Sequence, residues 1–246
     1  MVSAQSFLDA ACNFPSATLD DLLGEGGAVV VAPHPDDESL GCGALIAAAR
    51  AKERSVKVVV LSDGTGSHPG SNKYPRERLR QLRKREVRKA VSLLGLRRAD
   101  LNCLELPDRY VPKSGPEAES AARAVAEQLR KARANALFTT WRHDPHVDHQ
   151  AAYDIARKAV DLVPRVRLFE YVIWGRDLPP EKLVTEAPRG WRFDGARVVA
   201  LKQAAIACHR SQVTGLIDDD PKRSCLGPDV LARFASNEEI FFEIDP

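Results

Sequence analysis

The chain has 246 residues, of which 44% are hydrophobic and 28% are charged, so it is long enough to bury one full core. We expect a single domain over 1–246, because no shift in composition marks a second one. A formal net charge of +2 argues against a nucleic-acid partner, and no apolar run reaches the length of a membrane span. Five widely spaced cysteines predict reduced thiols in a cytoplasmic protein.

Strands and helices alternate along the chain, which predicts an α/β fold. The short β-branched run Ala28–Val31 reads as a buried parallel strand, preceded by a short helix at Leu19–Leu23. Further strands are predicted at Val56–Leu61, Cys103–Leu106, Ala136–Thr140, Arg167–Trp174, Arg197–Leu201 and Ile240–Ile244, and helices at Leu40–Lys52, Pro75–Leu94, Glu117–Arg133, Asp148 to about Val163 and Lys202–Val213, with one more after Pro221. This order predicts a Rossmann-like, mostly parallel sheet with helices on both faces.

A dense polar cluster follows the first strand directly. It places an imidazole and three carboxylates within five residues, at His34, Asp36, Asp37 and Glu38. In open α/β sheets, ligands bind outside the carboxyl ends of the strands. So many ionisable groups beside an apolar strand need a positive charge among them, and a divalent metal is the simplest candidate. The alternative is a solvated acidic turn that caps the next helix.

Two further polar groups are predicted near the same edge. Asp108 follows the third strand, where it either contacts a ligand or belongs to a type I turn that starts at Pro107. On the helix Pro75–Leu94, Arg83 and Glu86 fall inside the apolar stripe. They form either an intrahelical ion pair or, for Arg83, part of a pocket for a polar ligand. The basic outer face of this helix lacks interleaved aromatic residues, which favours a solvated surface over a nucleic-acid patch.

A second polar cluster follows the fourth strand, where three of the six histidines lie within seven residues, His143 to His149. Asp148 is a predicted N-cap for the next helix. His149 shares a helical face with the apolar residues Ala152 and Ala156, so it points toward the sheet. Two imidazoles and one carboxylate suit a catalytic zinc site with an open position for water. Such a site, with a neighbouring base and acid, suits the hydrolysis of an amide or an ester.

The two clusters together resemble the motifs of the PIG-L/LmbE-like zinc-dependent de-N-acetylase family. The first motif is Ala32-Pro33-His34-Pro35-Asp36-Asp37-Glu38 and the second is His146-Val147-Asp148-His149. The similarity extends over roughly 28–213 and includes Asp63-Gly64, Arg83 to Glu86, Leu106-Pro107-Asp108 and Lys202 to Gln212. We therefore expect a core at 28–213 and a C-terminal extension at 214–246. Two positions depart from the family pattern, because Pro33 precedes the first histidine and Val147 replaces a proline.

The resemblance implies a role for each motif residue. His34, Asp37 and His149 would bind the metal, Zn²⁺ in the first instance, although the same ligands accept Fe²⁺ or Co²⁺. Asp36 would be the general base, and His146 would stabilise the oxyanion or act as the acid. Asp148 would orient His146 or a neighbouring group by a hydrogen bond. Arg83 and Asp108 match positions that contact sugar hydroxyls in the family.

The predicted function is a metal-dependent hydrolase that removes an N-acetyl group from an amino sugar or a sugar conjugate. The predicted partner is therefore a small N-acetylated sugar. One alternative is an amidase that cleaves a larger acyl group from a sugar conjugate. A second alternative is a non-catalytic sugar- or nucleotide-binding module with the same fold.

Overall fold

Apolar segments rich in valine form the centre of an eight-stranded sheet in the computed structural model, which describes residues 1–184 and 189–244. The strands are β1 (Val2–Ser3), β2 (Ser16–Ala17), β3 (Gly27–Ala32), β4 (Val56–Ser62), β5 (Leu101–Leu106), β6 (Ala134–Thr140), β7 (Arg167–Tyr171), β8 (Leu183–Val184), β9 (Gly190–Asp194) and β10 (Glu238–Ile244). The helices are α1 (Ala4–Ala11), α2 (Leu19–Leu23), α3 (Asp37–Ala51), α4 (Arg76–Leu93), α5 (Gly115–Ala132), α6 (Val147–Asp161), α7 (Val199–Cys208), α8 (Arg210–Val213) and α9 (Pro228–Phe234).

The strand order in the large sheet is β2-β9-β10-β7-β6-β3-β4-β5. Neighbouring strands from β7 to β5 are parallel, whereas β10 is antiparallel to both β7 and β9. The remaining two strands, β1 and β8, form a separate antiparallel pair. The predicted α/β fold with a mostly parallel sheet is confirmed.

Helices cover both faces of the sheet because alternate residues of its strands point to opposite sides. In β3, Val30 packs into a core with α3, α4 and α7, whereas Val29 and Val31 pack into a second core with α5 and α6. Because β3, β4, β5 and β6 run parallel to one another, their carboxyl ends meet at one edge of the sheet. The loops that follow these strands therefore lie side by side.

The C-terminal third differs from the prediction in two places. The predicted strand Arg197–Leu201 is wrong, because the chain turns there and enters α7, while the strand lies earlier, in β9. A short apolar run can begin a helix as well as form a strand, and here α7 packs against α3 and α4. The predicted helix Lys202–Val213 breaks at His209, which lies between α7 and α8 with φ −81° and ψ 54°.

Smaller differences concern the ends of elements. The strand predicted to reach Trp174 ends at Tyr171. The helix α1 was not predicted, and its residues Phe7 and Leu8 pack in a third cluster with Trp141 and Phe242. Of the helices in the described ranges, none combines the length and the apolar composition that a membrane span requires.

Candidate metal centre and pocket

The polar residues predicted from the sequence gather at the carboxyl ends of β3, β5 and β6. His34, Asp36 and Asp37 follow β3, Asp108 follows β5, and His146, Asp148 and His149 follow β6. Arg83 reaches the same place from α4 and is only 2% exposed. All eight predicted site residues therefore lie in one region, and six of them line a common pocket, namely His34, Asp36, Asp37, Arg83, Asp108 and His146.

Three donor atoms of the predicted metal ligands form a nearly equilateral triangle. Nδ1 of His34 lies 3.2 Å from Oδ2 of Asp37 and 3.3 Å from Nε2 of His149. Nε2 of His149 lies 3.4 Å from the same oxygen of Asp37. Tetrahedral ligands with bonds of about 2.0–2.1 Å are roughly 3.3 Å apart. The donor atoms thus have the spacing and chemistry that a divalent ion such as zinc requires.

Each of these two imidazoles has a carboxylate behind it. Nε2 of His34 lies 3.1 Å from Asp148 Oδ2 and 3.2 Å from Asp108 Oδ1. Nδ1 of His149 lies 3.3 Å from Asp144 Oδ1. A carboxylate that accepts the outer N–H leaves the inner ring nitrogen free to bind a metal. Asp144 was not among the predicted site residues, although it stands two positions before His146 in the polar run.

Asp148 occupies a different place in its helix than predicted. The N-cap of α6 is His146, whose Nδ1 accepts the backbone N–H of Asp148 at 3.1 Å. The Asp148 side chain therefore does not cap α6. It accepts the backbone N–H groups of Arg109 (2.6 Å) and Val111 (3.1 Å), which joins the loop after β5 to the carboxylate that contacts His34.

The charges of the cluster are strongly coupled. Burial alone would raise the pKa of Asp37, but His149 and His34 outweigh burial and hold this pKa far below its usual range. Burial would lower the pKa of His149, but Asp144 and Asp37 raise it to about 9. The carboxylates therefore stabilise positive charge at the imidazoles. A divalent cation between these side chains would supply positive charge at the same place.

His146 faces the pocket as a neutral side chain. Burial lowers its pKa to about 4, assisted by the positive charge of His34 and His149. Because Nδ1 accepts the N–H of Asp148, the ring proton resides on Nε2. A nitrogen of His146 also lies within 4.8 Å of nitrogens of His34 and His149, so three histidines form a second possible ligand set. With Nδ1 accepting a hydrogen bond and the proton on Nε2, neither nitrogen of His146 is free to bind a metal in this arrangement.

Asp36 lies in a strained backbone conformation at the start of α3, with φ 146°. Non-glycine residues rarely adopt positive φ values, and such strain is concentrated at functional sites. Arg83 stabilises the turn, because its Nη2 donates to the Pro35 carbonyl at 2.7 Å and lies 3.2 Å from Asp36 Oδ2. Burial raises the pKa of Asp36 to about 6, and the guanidinium of Arg83 limits this rise.

Arg83 is therefore a pocket residue. Its Nη1 donates to the Gly64 carbonyl at 2.8 Å, so one guanidinium joins the loops after β3 and β4. The alternative, an ion pair with Glu86, is not observed within the described ranges, because Glu86 accepts the Ser211 N–H (2.8 Å) and hydroxyl (2.6 Å). Asp108 lies in the predicted turn, and the contact with a ligand stays a prediction. The turn bond from Tyr110 N–H to the Pro107 carbonyl is present (3.1 Å), and the carboxylate contacts His34.

The buried side chains of Glu38 and His209 form a pair that also fixes the backbone at Asp36. Glu38 Oε2 accepts the backbone N–H of Asp36 at 3.0 Å, and Glu38 Oε1 lies 3.2 Å from His209 Nε2. Both side chains are at most 1% exposed. The break between α7 and α8 thus brings His209 against the turn that carries Asp36.

Part of the pocket wall comes from residues that the sequence did not indicate. Trp174, after β7, lines the pocket, as do three consecutive residues of the C-terminal region, Ser224, Cys225 and Leu226. The N–H of Ser224 donates to the Ser67 carbonyl and that of Leu226 to the Gln212 carbonyl, both at 2.8 Å. These bonds attach the C-terminal region to the loop after β4 and to α8.

Comparison with known proteins agrees with this geometry. The family profile described as "GlcNAc-PI de-N-acetylase" (PIG-L) matches residues 29–160, more than half of the chain and both motifs. The chain is 28% identical over 161 residues to 2'-N-acetylparomamine deacetylase of Streptomyces fradiae, a match to 61% of this chain and 58% of that relative. The matched part is therefore only a little over half of that relative's length.

One further relative and one solved structure match over most of their length. The probable N-acetyl-alpha-D-glucosaminyl L-malate deacetylase 2 of Bacillus subtilis (strain 168) is 26% identical over 217 residues, covering 87% of this chain and 95% of the relative. The structure of N,N'-diacetylchitobiose deacetylase from Pyrococcus horikoshii has the same fold, with a TM-score of 0.66, 19% identity, and coverage of 98% of this chain and 90% of that chain. The chain thus belongs to the GlcNAc-PI de-N-acetylase (PIG-L) family.

Proposed function

We propose that this protein is a zinc-dependent hydrolase that removes an N-acetyl group from an amino sugar or a sugar conjugate. The observation that carries the proposal is the triangle of donor atoms from His34, Asp37 and His149, with Asp36 and His146 in the same pocket. The relatives named as deacetylases of amino-sugar compounds support this class of substrate.

The roles of the residues follow from their positions. When bound, a divalent ion supplies Lewis acidity, which polarises an amide carbonyl and makes a neighbouring water more acidic. Asp36 takes the proton of the attacking water, since its pKa of about 6 leaves it ionised at neutral pH yet basic enough to accept that proton. Arg83 holds the Asp36 carboxylate in place.

His146 acts on the carbonyl oxygen of the reacting amide. Its Nε2–H donates a hydrogen bond to the oxygen that becomes negatively charged during attack. Because neutral His146 has no proton to spare, Asp36 passes to the departing amine the proton that it took from the water. Asp148 contributes indirectly, because its backbone N–H fixes the tautomer of His146 and its side chain orients His34. Arg83 and Asp108 present donors and acceptors to the sugar hydroxyls from the pocket wall.

Two substitutions separate metal binding from turnover. Asp36→Ala should abolish the release of free amine from N-acetylated amino sugars while the protein still binds close to one zinc per chain. His34→Ala should lose both activity and zinc. Asp161→Asn, at the exposed far end of α6, is a matched control that should change neither. Full activity of Asp36→Ala on every accepted substrate would refute the mechanism.

The acyl group and the metal are tested with the same protein. Release of acetate is compared with release of longer acyl groups from otherwise identical sugars, and acetate release should dominate. Metal-free protein is then reloaded with Zn²⁺, Fe²⁺ or Co²⁺ in parallel, because the ligand set accepts all three. Binding of sugars without any turnover, in the presence of each metal, would favour a non-catalytic sugar-binding module instead.

A further inference from the structure

A second cavity, with a volume of about 270 Å³, is lined by residues of α1, α3, α7, α9, β7 and β10. None of the predicted site residues lines it, and Leu40 lines both this cavity and the pocket that contains His34 and Asp36. A cavity of about 150 Å³ can hold benzene, so this one has room for an organic molecule of roughly ten non-hydrogen atoms. We refer to it as the second cavity.

Much of the wall of the second cavity is apolar and fixed by the cores of the protein. Five large side chains of the wall are at most 8% exposed, namely Leu8, Tyr171, Ile173, Phe234 and Phe242. Three of them pack in the core that contains α3 and α7, and the other two pack in the cluster around α1. A wall of buried aromatic and aliphatic side chains suits the apolar body of a small ligand.

Lys202 places a buried positive charge in this wall. It is 2% exposed, and its Nζ lies 2.9 Å from Oε1 of Glu239. The two oxygens of Glu239 also accept the backbone N–H groups of Ala44 (2.7 Å) and Leu45 (2.8 Å). An ammonium group has three donors, and no other residue in the described ranges accepts from this one. Because a buried donor without an acceptor is costly, a ligand with an acceptor oxygen is favoured here.

Arg176 adds a second positive charge, which is exposed to solvent. Within the part of the chain that the structure describes, Arg176 has no hydrogen bond or ion pair, whereas Arg233 lies 2.9 Å from Asp177 and Glu238 lies 3.0 Å from Arg192. The residues that line the second cavity carry three positive and two negative charges. This excess of one positive charge favours an anion over a neutral or cationic ligand.

We propose that the second cavity binds a small organic carboxylate, whose apolar body packs on the buried wall and whose oxygens accept hydrogen bonds from Lys202 and Arg176. A carboxylate carries a single negative charge and matches the excess of one positive charge, whereas a phosphate ester carries nearly two at neutral pH. The inference is independent of the proposed function, because it uses no residue assigned to the metal, the water or the sugar.

Calorimetry with octanoate tests the charge of the ligand, because octanoate has the size that the cavity accepts. Octanamide has the same size without the charge and should bind roughly fivefold more weakly or less tightly still. Arg176→Gln should weaken octanoate binding about two- to fivefold, the range for one solvent-exposed ion pair, and should leave octanamide binding unchanged. Arg85→Gln removes an exposed arginine of α4 that does not line the second cavity, so it should change neither affinity.

Alkylation of Cys12 tests where octanoate binds. Cys12 lines the second cavity, and the other four cysteines are buried or partly buried, so iodoacetamide should modify this exposed thiol first. Saturating octanoate should slow the modification of Cys12, as measured by mass spectrometry of the peptides. Ala11→Leu places a larger side chain at a buried position of the wall and should abolish octanoate binding. Urea unfolding of this variant shows that it is folded, and Arg176→Gln decides the proposal if it is not.

The measurements are made on the zinc-loaded protein and repeated on the metal-free protein, because a carboxylate can also bind zinc. Octanoate binding that needs the metal overturns the second cavity as its site. Equal octanoate affinity of the Arg176→Gln and unmodified proteins, or alkylation of Cys12 at the same rate with and without octanoate, also overturns the proposal. None of these results bears on the proposed function, which the release of free amine from N-acetylated sugars decides separately.

Discussion

Asp144 provides a sharp test of the proposed metal centre, because it contacts His149, one of the proposed ligands, without lining the pocket. Its Oδ1 lies 3.3 Å from His149 Nδ1 and accepts the backbone N–H of His146 at 3.0 Å. Its Oδ2 accepts the backbone N–H of Trp174 at 2.8 Å, and the residue is fully buried. Asp144→Asn preserves the shape of the side chain, removes its charge and converts one acceptor oxygen into an NH₂ donor.

The size of the effect follows from these contacts. Whichever way the new amide orients, one side of it presents NH₂ where a donor of His146, His149 or Trp174 needs an acceptor. A buried donor without a partner costs about 1–3 kcal/mol of the free energy of unfolding. Loss of the carboxylate behind a ligating histidine weakens metal affinity about 10- to 100-fold, which is about 1.4–2.8 kcal/mol.

The assay is competition for Zn²⁺ between the protein and a chelator of known affinity. Urea unfolding of the metal-free proteins, measured alongside, separates the loss of affinity from the loss of stability. Asp161→Asn makes the same chemical change on α6 at a side chain that is 62% exposed, and it should leave both quantities unchanged. Zinc affinity of Asp144→Asn within threefold of the unmodified protein would refute the role assigned to Asp144.

Two further predictions concern stability away from the donor atoms. Gly41→Ala would place a Cβ 2.2 Å from the Tyr171 ring, so urea unfolding should show a loss of about 1–3 kcal/mol, whereas Gly215→Ala, with no atom within 4 Å, should show almost none. Burial opposes the ionisation of Asp100, but the hydrogen bonds from Lys57 and Arg97 together outweigh burial and lower its pKa. Asp100→Asn should therefore destabilise the protein at pH 7, and in unfolding measured against pH this difference should vanish as the pH falls below about 4.

The central half of the fold was predictable because its signals are local. The strand β3 is a run of β-branched and small residues, and α5 and α6 have apolar stripes with the helical period. The C-terminal third was less predictable, since short apolar runs there fit a strand or a helix equally well. Residues 197–201 became the entry to α7 through packing against α3 and α4, which are distant in sequence.

The candidate site likewise has one part that the sequence predicts and another that only the fold reveals. The two motifs place His34, Asp37 and His149 at strand ends, and the parallel topology then brings them together. The pocket wall from Ser224 to Leu226 depends on hydrogen bonds to Ser67 and Gln212, for which the chain has no local pattern. Asp144 lies within a polar run that the sequence displays, but only the fold reveals that its carboxylate faces His149.

The arrangement of carboxylates around the two imidazoles explains why the ligand atoms converge. For a histidine to bind a metal, one ring nitrogen must lose its proton, and the partner of the other nitrogen decides which one. Asp148 and Asp108 keep the proton of His34 on Nε2, and the negative charge of Asp144, 3.3 Å from Nδ1 of His149, favours the proton of that ring on Nδ1. The two free nitrogens are therefore the pair that lie 3.3 Å apart beside Asp37. Because these three carboxylates belong to the loops after β5 and β6 and to the first turn of α6, we expect a change in any of these segments to alter the proposed metal site without touching a ligand.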